Sequence, residues 1–201
     1  MDHKQADQTR STILQSAYCE IHRQGFQAAS IANILQDTGL TKGALYHHFP
    51  TKQALGLAVI DEVIAVRLGQ LLFDPVRQSD RPVDALLYLI DQIDQMVPTD
   101  FVQQGCPLNN LVQEMSALDQ EFKLRLHRIL LQWQETIAWA LSEGQKEGDI
   151  RADVDCNSAA LFVVSAWEGC IGVAKNMQSN DVFRACMQQL HDYVVSLRNT
   201  K

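Results

Sequence analysis

The chain has no excess of positive charge, no paired cysteines and no glycine-rich phosphate loop. Its 201 residues hold 17 Lys and Arg against 24 Asp and Glu, a formal net charge of -7. That balance excludes a protein that coats nucleic acid non-specifically, while leaving room for a small local basic surface. The five cysteines, Cys19, Cys106, Cys156, Cys170 and Cys186, are an odd number without a C-x-x-C pair. This argues against a disulfide framework or a zinc site and fits a reducing cytosol. No His-Glu metal pattern occurs, and Cys106 with His127 lacks an oriented third partner for nucleophilic catalysis. Neither an enzyme nor a bound cofactor or metal is therefore expected. The start, Met1-Asp2-His3-Lys4-Gln5, is polar and has no apolar stretch of the kind a secretory signal needs. The least charged run, Cys156 to Ala174, is interrupted by Glu168 and carries Asn157, Ser158 and Ser165. A helix covered on most sides in a soluble cytoplasmic protein is expected there, rather than a membrane span.

What is present is helical periodicity. Apolar residues make up 46% and charged residues 20% of the chain, ordinary values for a globular protein. A chain of this length buries about 70% of its unfolded surface and accommodates one large domain or two small ones. Ile13, Leu14, Ala17, Tyr18 and Ile21 form one stripe of a first helix, which Gly25 ends. Ser30 caps a short helix with Ile31, Ile34 and Leu35 inward, and Gly39 ends it. Thr41 caps another to His48, stopped by Pro50. Thr51 begins a long helix to about Phe73, after which Asp74-Pro75 and Asp80-Arg81-Pro82 punctuate the chain. Further helices are expected over 82–97, 107–116, 119–147 and 155–177, with a last one starting at Asn180 or Asp181. The total is nine helices and no strand, an all-α architecture.

Residues 30–48 pair two short helices across a glycine turn, spacing that frees the second helix to enter a major groove. Only Leu45 of that second helix points inward; Thr41, Lys42, Gly43, Ala44, Tyr46 and His47 are small or polar. Gly43 and Ala44 let the backbone approach DNA closely, and Thr41, Tyr46, His47 and Lys52 can donate to phosphates. Lys42 can reach a phosphate or a guanine edge. A helical hairpin in a bundle would use the same spacing. Residues 1–52 carry five basic and four acidic side chains, so the head is slightly basic and the acidity lies in the rest.

The run from Thr12 to Ile60 closely resembles the N-terminal domain of TetR-family transcriptional regulators. The matching residues are Ile13, Ala17, Gly25, Phe26, Ser30, Ile31, Ile34, Gly39, Leu40, Lys42, Gly43, Leu45, Tyr46, Phe49, Lys52 and Leu55. The resemblance implies a three-helix DNA-binding head, residues 1–52, on a helical regulatory domain, residues 53–201, that binds an inducer and dimerises through its last two helices. It implies a homodimer on double-stranded DNA at a palindromic operator, with Ser30, Thr41, Lys42, Gly43, Tyr46, His47 and Lys52 as contacts. A dimer is also a physical need, since one head covers only a few base pairs. Leu161, Val164 and Trp167 of the penultimate helix and Phe183, Met187 and Leu190 of the last are the interface candidates. The penultimate helix reads as apolar nearly all round, so several partners should cover it.

Gly105-Cys106-Pro107-Leu108-Asn109-Asn110-Leu111, followed by Glu114-Met115-Ser116, resembles the subgroup containing the repressor of N-ethylmaleimide reductase, which responds to reactive electrophiles and oxidants. That resemblance also touches Trp167, Gly169, Ala174 and Lys175. Cys106 directly precedes a helix, where the dipole and free amides favour a thiolate, and Lys175 is the ammonium the resemblance offers. Leu111, Met115, Trp133, Trp167 and Cys170 are the remaining candidates for a sensing pocket. Two readings of the switch stand. Either Cys106 reacts with an electrophile or oxidant, or a non-reactive hydrophobic small molecule binds reversibly while Cys106 is structural.

Overall fold

A computed structural model describes residues 3–199; Met1 and Asp2, part of the polar start, lie outside the described residues. The helices are α1 (His3–Gln24), α2 (Ile31–Leu35), α3 (Lys42–His48), α4 (52–77), α5 (Pro82–Met96), α6 (Pro107–Met115), α7 (Gln120–Lys146), α8 (Cys156–Met177) and α9 (Asn180–Ser196). A single further turn, Phe101–Gln104, precedes α6. Among the described residues there is no strand, only an isolated bridge between Ile150 and Arg198. The nine expected helices are all present among the described residues.

Local chemistry sets their ends. Ser30 Oγ accepts from the Asn33 amide, Thr41 Oγ1 from Ala44 and Thr51 Oγ1 from Ala54, each at the start of a helix. Asp155 caps α8 through the Asn157 and Ser158 amides. Helix α9 starts at Asn180, as expected, and Ser179 caps it, accepting from the Val182 amide at 3.3 Å. One boundary differs more. Asp74-Pro75 does not stop α4, which runs on to Arg77. The turns Ile60–Ile64 and Gly69–Phe73 are wider than α-helical, with π geometry. The second ends two residues before Pro75, whose ring would clash with a carbonyl of a regular turn; the wider turn accommodates it and the helix continues.

The chain forms two compact units. One comprises residues up to Arg67 with Pro107–His127, the other Leu68–Cys106 with Arg128–Lys201. In the first, α1 packs on α2, α3 and α4, around Ile13, Ala17, Ile34, Leu45, Phe49 and Leu55. Ile31, expected inward, is only half-buried. Arg10 donates twice to the Glu62 carboxylate, at 2.5 and 2.6 Å, tying α1 to α4. Phe26 and Phe122 stack with centroids 4.5 Å apart beside Gly56, where a Cβ would meet the Phe26 ring at 2.4 Å. In the second unit α9 packs on both α8 and α5. Trp133 lies edge-on to Trp167 at 5.4 Å and tilted against Phe73 at 6.4 Å. Arg198 pairs with Asp84 and Asp149 and fastens the C-terminal residues.

Within the single chain α8 is covered on one side only. Ala160, Val163, Val164, Trp167, Ile171 and Ala174 are buried, whereas Leu161, Phe162, Val173 and Met177 are exposed. Helix α8 is long and apolar enough to cross a membrane by length and composition, and its buried face packs on α9.

Candidate functional site

Helices α2 and α3 carry the first site. Leu45 is fully buried, while Thr41, Lys42, Gly43, Tyr46 and His47 are exposed, so α3 presents one continuous polar face to solvent. Tyr46 is 45% exposed, a large ring left in water within an otherwise well-packed unit. Ser30 and Thr41 use their hydroxyl oxygens as caps, which leaves each hydroxyl hydrogen free to donate outward. Lys52 is held differently. Its Nζ donates to the Gln27 carbonyl at 2.9 Å and lies 4.9 Å above the Phe26 ring.

Two carboxylates support this head without touching its outer face. Glu20, 5% exposed on α1, accepts from Arg23 at 2.5 Å and from the Asn33 side chain at 2.8 Å. Burial opposes its charge, yet these bonds and the Ser30 amide outweigh burial and hold its carboxyl below the usual range. Glu114, near the end of α6, accepts from the Phe26 and Gln27 amides, each at 2.8 Å. It closes the loop that joins α1 to α2. Gly25 there has φ +82°, and a Cβ on it would meet Glu114 Oε2 at 2.8 Å, so no other residue fits comfortably.

In the other unit, Cys106 is 4% exposed and its Sγ donates to Glu168 Oε1 at 3.2 Å. Glu168 is 8% exposed, and its Oε2 is buried without a hydrogen-bond partner. Burial pushes this carboxyl up to about 7, with the Cys106 bond opposing the shift in part.

Residues 82–190 match a family described as tetracyclin repressor-like, C-terminal domain. Residues 13–59 match the family of bacterial regulatory proteins, tetR family. The chain belongs to the TetR family. An HTH-type transcriptional regulator in the lacX 3' region of Lactococcus lactis subsp. lactis is 33% identical over 134 residues, 67% of this chain and 68% of that one. The transcriptional regulator AcuR of Cereibacter sphaeroides is 29% identical over 173 residues, 85% of this chain and 78% of its own. The crystal structure of E. coli NemR in its reduced form superposes with a TM-score of 0.80 at 20% identity, covering 96% of this chain and 98% of that one. At that identity the likeness is one of fold. TetR-family proteins are transcriptional regulators, not enzymes; they bind DNA as dimers and typically respond to ligands.

The remaining TetR-family candidates fall out as follows. Leu111 and Met115 are buried in the first unit; Trp133 and Trp167 are buried against each other in the second. Lys175 is half-buried in the last turn of α8. Cys170 lies beside Cys186 in an apolar groove between α8 and α9, with Phe162, Ala166, Leu190 and Tyr193. Burial and the Cys186 thiol push the Cys170 thiol far up. Of the six interface candidates, Val164, Trp167, Phe183, Met187 and Leu190 are buried within the single chain, and only Leu161 is exposed. Phe162 stacks edge-on with Tyr193 at 4.6 Å on that same outer face. Glu20, Glu114 and Glu168 were not singled out as functional from the sequence; the only available signal for Glu168 was a carboxylate interrupting an apolar run.

Proposed function

We propose that this TetR-family protein is a cytoplasmic repressor that holds a palindromic operator as a homodimer and is released when its C-terminal domain senses an inducer. The polar outer face of α3 carries this reading, with Ser30, Thr41, Lys42, Gly43, Tyr46, His47 and Lys52 as contacts. Repression is the usual mode of the family. The exposed apolar band of Leu161, Phe162, Val173 and Met177 on α8 supports dimerisation through α8 and α9, since a band of this kind marks a surface that seeks a partner. The division into a head of residues 1–52 and a regulatory part of 53–201 belongs to the same proposal.

For the switch we favour Cys106 as a sensor of electrophiles or oxidants. Modification would displace the start of α6, and Glu114 at the other end of α6 holds the Phe26–Gln27 loop of the head. A bistable α6 would thus bias α2 and α3. A second reading has its own observation. Cys106 is 4% exposed, as a structural cysteine is, and reversible binding of a hydrophobic small molecule would then act on the same helix. Operator binding of wild type and Cys106→Ser, followed during treatment with methylglyoxal, a quinone or hypochlorite, tests the choice. Release of the wild type alone is expected; equal release of both removes the sensor. Sizing as a monomer at micromolar concentration would remove the dimer.

A further inference from the structure

Glu168 has no part in DNA binding, and its setting is a poor one for stability alone. Among the described residues the one hydrogen-bond donor to this buried carboxylate is a thiol, a weak one, and Oε2 is left unpartnered. Because nothing donates to Oε2, no second hydrogen bond stabilises the carboxylate, and its basicity stays high. Its acidity answers to burial, opposed in part by the Cys106 thiol; among the described residues no ammonium or guanidinium of the 101–104 turn, α7, α8 or α9 stands among the causes of its shift. The S–H of Cys106 already points at Oε1, 3.2 Å away. This is the geometry of a nucleophile and its base.

We propose that Glu168 is the proton acceptor that arms Cys106 toward neutral α,β-unsaturated carbonyl compounds, an inference that rests on the sensor reading of Cys106. In the step, Sγ bonds to the β-carbon as the C=C pair moves toward the α-carbon and the carbonyl oxygen. The thiol proton passes to Glu168 Oε1. A proton then returns from Glu168, directly or through water, to the α-carbon. The adduct contains the whole thiol and the whole electrophile, so no oxidant or reductant is consumed. A free thiolate beside ionised Glu168 would put two negative charges about 3 Å apart; transfer keeps a single charge on the pair.

The test measures the rate at which a maleimide modifies Cys106 in the full chain, read by peptide mass spectrometry between pH 5.5 and 9. The wild-type rate is expected to rise through pH of about 7 and then level. An unassisted thiol has only a few per cent thiolate at neutral pH, so Glu168→Gln should react about tenfold slower at pH 7. Its rate should climb only toward the ordinary thiol range near 8.5. Glu168→Asp should recover part of the lost rate. Cys106→Ser reports labelling at the other cysteines. A Gln variant with the wild-type rate and profile overturns the role of Glu168 while leaving the sensor intact. So does a wild-type profile without an inflection near 7, which requires no variant to fold. Absence of labelling at Cys106 while exposed Cys19 reacts overturns both readings.

Discussion

Glu20 in the first unit and Glu168 in the second are both little exposed, at 5% and 8%, yet their carboxyls shift in opposite directions. Glu20 has Arg23, Asn33 and the Ser30 amide around it and is held below the usual range despite burial. Glu168 has a single thiol and an orphan oxygen, and burial raises it to about 7. Burial opposes the charge of both, more strongly at the deeper Glu168, and only Glu20 has donors enough to outweigh it. The head spends its buried charge on fixing α1 against α2, as a surface that must hold DNA contacts in place requires. The other unit keeps a buried group close to titration at neutral pH.

The same substitution at the two positions should therefore act with opposite sign, and this is the largest effect expected. Between pH 4.5 and about 7, folded Glu168 keeps a proton that the unfolded chain has lost. Stability thus falls as pH rises through that window, by up to about 3 kcal/mol. Glu168→Gln should relieve that cost, stabilising the protein at pH 8.5 and changing little at pH 5, as denaturant unfolding would measure. At Glu20 the stabilising charge is present above the unfolded carboxylate value and disappears as pH falls through the lower folded one. Glu20→Gln should cost about 1–2 kcal/mol at pH 7, the scale of a charge-assisted hydrogen bond, and nothing extra in strong acid. Two Gln variants that shift stability in the same direction at pH 8.5 would break the contrast.

Much of the head could be read from local signals. Caps at Ser30, Thr41 and Thr51, the stops at Gly25 and Gly39, and the single inward Leu45 act within one or two turns, and the sequence displays them directly. Three features were out of reach because their causes are remote in the chain. Glu114 meets Phe26 across 88 positions and Glu168 meets Cys106 across 62, and periodicity carries no information on such pairings. Helix α4 passes Pro75 because a π turn forms before it, a backbone adjustment no residue announces. Five of the six interface candidates, Val164, Trp167, Phe183, Met187 and Leu190, fill the chain's own core, and Leu161 alone is exposed, because an apolar stripe does not reveal which of its residues a neighbouring helix of the same chain covers.

Next in size are effects confined to the operator. Lys42 is exposed and heads α3, so Lys42→Ala should leave unfolding unchanged within about 0.5 kcal/mol. Operator affinity should weaken about tenfold, and the slope of affinity against salt should fall by about one. Lys52 offers the sharper contrast. Its ammonium is engaged by the Gln27 carbonyl in the free protein, so Lys52→Ala should lower both operator affinity and stability. If Lys42→Ala and Lys52→Ala behave alike in both assays, the distinction between an outward contact and a structural cation is wrong.

The smallest effect separates two roles in one side chain. Thr41 Oγ1 accepts from the Ala44 amide at 3.2 Å and starts α3, and the residue is exposed, so its hydroxyl can still donate. Thr41→Ala should cost about 1 kcal/mol of stability through loss of the cap, and should weaken operator binding by more than that loss accounts for. Thr41→Ser keeps both the acceptor and the donor and should sit within about 0.3 kcal/mol of wild type in unfolding, with operator affinity nearly unchanged. Thr41→Asp isolates the cap: it accepts from the same amide and stands favourably at a helix N-terminus, but presents a negative charge to phosphate. Wild-type stability together with abolished operator binding in that variant is the expected signature of a head whose folding and DNA contacts share residues but not atoms.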